Sequence, residues 1–151
     1  MANYGLYKDV DEGQLSSDAS TLTESLTKGR SELSNFKGTL TDDIWKAGAK
    51  ATLLTAFDTL DTDVYENLIN DLATITSIAG EIANYKSAEG DAKAAQTAID
   101  EAEAGRAAAL NADPNADVSG YDKTISDETA AKTTAEGKMD EAEAKVNALN
   151  V

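Results

Sequence analysis

The sequence predicts an all-α protein: a long antiparallel helical hairpin followed by an Ala-rich helical extension that forms a second, thinner hairpin. Three observations carry this. The 151 residues include one Pro and only 5% aromatics, and Ala, Thr, Glu and Asp dominate. That makeup favours helix over a sheet rich in Val, Ile, Tyr and Phe. Large apolar residues recur in alternating threes and fours in two separate stretches, the spacing of helices packed lengthwise on one another. The clearest turn signal, from Asn111 to Gly120 with the only Pro, lies between two stretches rich in Ala.

The first seam runs through Leu15, Ala19, Leu22, Leu26, Gly29, Leu33, Phe36 and Leu40. Asp9 or Asp11, followed by Glu12, supplies an N-terminal cap and a negative charge at the positive helix end. The second seam runs through Phe57, Leu60, Val64, Leu68, Leu72, Ile75, Ile78, Ile82 and Tyr85. The expected helices span about 11–42 and 49–89, each roughly 45–60 Å long at 1.5 Å per residue. A short connection between them makes the pair antiparallel. Leu22, Leu26, Leu33, Phe36 and Leu40 on one side, with Phe57, Leu60, Val64, Leu68, Leu72, Ile75 and Ile82 on the other, are the expected core.

Gly90-Asp91 reads as a weak break, which divides the chain into a hairpin at 1–90 and an extension at 91–151 with a loop about 111–120. The last helix keeps a thinner seam through Ile125, Thr129, Ala135, Met139, Ala142, Val146 and Leu149. Such a seam buries little area and gains little by itself at about 25 cal/mol per Å². Asp100-Glu-Ala-Glu-Ala104 recurs as Asp140-Glu-Ala-Glu-Ala144, a weak internal repeat that either compositional bias or a duplication would produce.

A formal net charge of −15 disfavours binding to phosphate backbones and to anionic membranes. With no His and no Cys, thiolate nucleophiles, Ser-His-Asp triads and Cys/His zinc sites are excluded. No apolar run approaches the roughly 20 residues of a spanning helix. Asp58, Asp61, Asp63 and Glu66 read as a solvated face. The loop residues Asn115, Asp117, Ser119 and Gly120 match part of a calcium loop, but Ser126 stands where its bidentate Glu belongs. Nothing supplies a concave pocket to shift a carboxylate pKa. The expectation is therefore no enzyme, no cofactor and no metal. Lys28, Arg30, Lys46, Lys50, Lys86 and Lys93 are scattered and read as solubilising surface.

Trp45, the only Trp, sits at the expected turn with Gly48 following. One long helix later comes Tyr85-Lys-Ser-Ala-Glu89. Two seam helices, a Trp-x-x-Gly turn and a Tyr-x-x-x-Glu ending over about residues 9–90 resemble the WXG (early-secreted-antigen-like) family of type VII secretion substrates. The turn here holds one residue more than the family's Trp-x-Gly, and the chain continues beyond the usual end. The resemblance implies a turn role for Trp45 and Gly48, an export signal at Tyr85 and Glu89, and secretion without a cleaved signal peptide. The N-terminal residues show neither the basic nor the apolar region of such a peptide. Because a two-helix hairpin buries its seam incompletely, a homodimer or heterodimer forming a four-helix bundle is expected. Leu68→Asp should then abolish helicity and dimerisation together. The rival reading is a structural assembly subunit, a virion or filament component, which would be cytoplasmic or assembled in a particle.

Overall fold

The computed structural model describes residues 5–40 and 47–149. Among these residues the regular elements are all helical and no strand occurs. They are α1 (Glu12–Thr39), α2 (Ala47–Thr59), a π-helical segment (Leu60–Glu66), α3 (Asn67–Ala112) and α4 (Ser119–Leu149). None of these helices is long and apolar enough to cross a membrane. The chain divides into two compact units, one of residues 11–79 and one of residues 80–151 together with 1–10.

This division differs from the expected one at residue 90. Gly90 is an interior residue of α3, where even an added methyl group would meet open space. A helical Gly costs only about 1 kcal/mol relative to Ala. The buried neighbours Ala88, Glu89 and Ala92 hold the helix through it.

In the unit of residues 11–79, α1 runs antiparallel to α2 and the π segment. Asp11 caps α1 by accepting from the Gln14 backbone N–H at 2.8 Å. Thr and Ser hydroxyls fold back onto carbonyls four residues earlier, as Thr23 does onto Ala19 at 2.8 Å. This satisfies a Thr-rich helix internally. Cross-helix contacts fix the register. Lys37 pairs with Asp58, and Arg30 forks onto Asp61 at 2.6 and 3.1 Å. The Phe36 and Phe57 rings meet edge to face at 5.6 Å. Tyr65 lies over Gly29, where a methyl group would stand 3.1 Å from its Oη.

In the other unit, residues 80–112 of α3 pack antiparallel on α4. The core is Tyr85, Ala88 and Ala92 against Ala135, Met139 and Ala142, with Tyr7 packed on it. Ala92 is 0% exposed and Met139 1%. Val146 is buried as expected, but Thr129 and Leu149 are exposed. Glu128 and Lys132 occupy the seam instead, and Lys132 donates to Gln96 at 2.7 Å. Their aliphatic stems cover the seam while their charged ends reach its edge. Ala102 and Ala142, the central alanines of the recurring pentapeptide, are both buried. The expected loop is confined to residues 113–118, where Asp113 and Asp117 accept from the backbone N–H groups of Asn115 and Ser119. The second of these contacts holds the Asp117 carboxyl below its ordinary pKa and starts α4.

Candidate protein-binding face

The π segment decides which side chains of the first hairpin face out. The expected seam steps from Phe57 to Leu60, Val64 and Leu68. The observed inward positions are Phe57, Asp61, Tyr65 and Ile69, half-buried and spaced by fours. A π turn closes i→i+5 bonds and so inserts one residue into the helical repeat. Residues that a continuous α-helix would turn inward are rotated out, and their successors take the interface.

Three large apolar side chains are thereby left in solvent. Leu60 is 36% exposed, Val64 42% and Leu68 43%. They follow one another at i, i+4 and i+8 and form one row. On α1 the inward path runs through Ala19, Thr23, Leu26 and Leu33, while Leu22 at 54% and Phe36 at 47% remain exposed. Leu22 and Phe36 lie two heptads apart, hence on one flank of α1. Ser16 and Ser20 of α1 share one flank with Ala73 and Thr76 of α3, which leaves Leu22, Phe36 and the outward row together on the other. The opposite flank is different in kind. It carries a shallow cavity of about 400 Å³ lined by Ser16, Ser20, Thr23, Ile69, Ala73 and Thr76.

Five of the twelve expected core residues are thus surface residues: Leu22, Phe36, Leu60, Val64 and Leu68. Leu26, Leu33, Phe57, Leu72 and Ile75 are half-buried. Only Leu40 and Ile82 are fully buried, and Ile82 belongs to the other unit. The expectation that Leu68→Asp abolishes helicity is withdrawn, since a carboxylate at Leu68 meets solvent.

Trp45 lies outside the described residues. Gly48 does not form the chain reversal; it belongs to the first turn of α2, where its carbonyl accepts from Thr52 at 3.1 Å. Tyr85 and Glu89 share one helical face as expected, but they are buried, at 1% and 7% exposure. The Tyr7 ring stands edge-on to Tyr85 at 4.9 Å, and Lys86 reaches the Val10 carbonyl. Glu89 pairs with Lys93 at 2.7 Å. Burial, then the negative charge of Glu89 and Glu143, raises the Tyr85 pKa above its ordinary value.

The scattered cations are not uniformly solubilising. Arg30 and Lys37 clamp the first hairpin; of the acidic face, Asp58, Asp63 and Glu66 are exposed as expected, and Asp61 is half-buried beneath Arg30. The Arg30 guanidinium holds the Asp61 carboxyl below its ordinary range. The second hairpin repeats the device. Arg106 pairs with Asp122 at 2.7 Å, and Tyr121 lies over Gly105, where a methyl group would stand 2.6 Å from Cε1. The Gly-Arg dipeptides at 29–30 and 105–106 were the available sequence signal for both clamps.

No family model, curated protein or solved structure matches this chain.

Proposed function

We propose that the chain is a non-enzymatic helical binding protein, a small type VII secretion substrate or the partner of a larger secreted toxin, acting by helix–helix association. The observation that carries the association is the apolar flank of Leu22, Phe36, Leu60, Val64 and Leu68. Contiguous exposed apolar surface of this kind marks an interaction site, and a row at helical spacing suits another helix. Support for the secretion reading comes from the order of features: a seam helix, Trp45 and Gly48, a second seam helix, and Tyr85 with Glu89 on one face.

The test is export from a host that carries a type VII system, comparing medium with cell pellet. Tyr85→Phe and Glu89→Gln are the informative variants because each keeps the buried volume. Wild-type protein in the medium, with the double variant held in the cell at normal levels and normal helicity, is the expected result. Equal retention of both proteins overturns the secretion reading. Polymers that grow with concentration would favour an assembly subunit instead.

A further inference from the structure

The apolar flank has a charged border of one sign. Asp18 and Glu32 stand one turn before Leu22 and Phe36 on α1, and Asp71 stands one turn after Leu68 on α3; all three are exposed. Asp18 also accepts from Gln14 at 2.6 Å, which leaves its charge in place. The nearby cations Arg30 and Lys37 are turned into the hairpin and engaged with Asp61, Glu66 and Asp58. Lys28 points from the outer face of α1, one turn before Glu32 and further from the row.

We propose that this flank takes an amphipathic helix of another protein, one whose apolar seam is bordered by Lys or Arg, and not a second copy of this chain. A second copy would bring this acidic border against another acidic border, and each chain carries −15. Like charges brought together at an interface border are unfavourable and slow the encounter, whereas opposite charges steer it. The apolar row supplies the contact and the acidic border supplies the choice of partner. This rests on the helix-association reading above.

The probe is a synthetic helix with a Leu seam and Lys borders, titrated against the full chain by fluorescence anisotropy at low and high salt. One control carries Glu borders on the same seam, and another carries Lys borders on a Ser seam. The Lys-bordered Leu helix is expected to bind about tenfold or more tightly than either control. Neutralising the border with Asp18→Asn, Glu32→Gln and Asp71→Asn should weaken it about tenfold and flatten its salt dependence. Val64→Ser with Leu68→Ser should remove binding while circular dichroism is unchanged. Equal binding of the Ser-seam helix would overturn the proposal, since charge alone would then suffice. Sedimentation of the chain separates the two failures. A dimer dispersed by Val64→Ser with Leu68→Ser overturns the basic partner but leaves helix association standing. A monomer that binds none of the helices overturns both.

Discussion

The hairpin of residues 11–79 carries most of the large apolar side chains and, among the described residues, leaves five of them in solvent. The hairpin of residues 80–149 is built largely on alanine and buries Ala88, Ala92, Ala95, Ala102, Ala135 and Ala142 to single-digit exposure. Both share the same clamp, a Tyr over a Gly beside an Arg–Asp pair. The difference lies in the seam. Alanines let two helix backbones approach closely, so dispersion contacts form along the whole line even though each side chain is small. Large side chains bury themselves only where the facing helix offers a matching hole, and the π segment turns three of them away. Hydrophobic content therefore measures what a helix can bury, and register decides what it does bury.

The largest effects should come from the alanine hairpin. Ala92→Leu forces three extra carbons into a site with 0% exposure and is expected to cost about 1–3 kcal/mol. Met139→Ala empties the centre of the same core and should cost about 3 kcal/mol. Urea unfolding followed by circular dichroism reads both. Leu60→Ala, which removes the same three carbons that Ala92→Leu adds, should cost less because its side chain is already 36% exposed. If Leu60→Ala proves the more damaging, the contrast between the two hairpins fails.

Alkaline pH gives a second separation. Burial raises the pKa of Tyr85 and Tyr7 above their ordinary value of 10.0. The folded state therefore favours the protonated phenol. Its stabilisation is complete below pH 10.0 and is lost as pH rises through the folded pKa values. The alanine hairpin should loosen in that window, and Tyr85→Phe should move its transition to higher pH. Lysines titrate in the same range, so the difference between wild type and Tyr85→Phe is the quantity to measure. A transition unmoved by Tyr85→Phe would remove the phenol from the account.

The helical class, a cap at Asp9 or Asp11, the loop and the buried Ala135-Met139-Ala142-Val146 stripe were legible in the sequence because each depends on local chemistry or strict periodicity. The apolar flank was not. Leu60, Val64 and Leu68 keep a regular spacing, and spacing alone does not reveal a π turn that shifts the interface onto Asp61, Tyr65 and Ile69. Tyr85 was legible as a seam residue, but its partner Tyr7 comes from a turn far away in sequence, so its near-complete burial was hidden. Gly48 misled for a simpler reason: a Gly after an expected turn resembles a breaker, and here it only opens α2.

The register shift has its own test, with the smallest expected effect on stability. Deleting Thr62 removes the extra residue from the π segment. If that segment carries one residue beyond an α-helical repeat, the deletion lets the helix run as regular α while Tyr65 and Ile69 keep their places against α1. The hairpin should then survive with nearly unchanged unfolding midpoint, and Leu60 and Leu68 should remain accessible to hydroxyl-radical labelling. In a continuous α-helix the same deletion would rotate everything beyond residue 62 by about 100°. It would carry Ile69 and Leu72 out of the interface and Glu66 away from Arg30. A cooperative, folded deletion variant with Tyr65 still seated on Gly29 places the origin of the exposed row in the backbone geometry of residues 60–66. An unfolded variant would move it to the side chains.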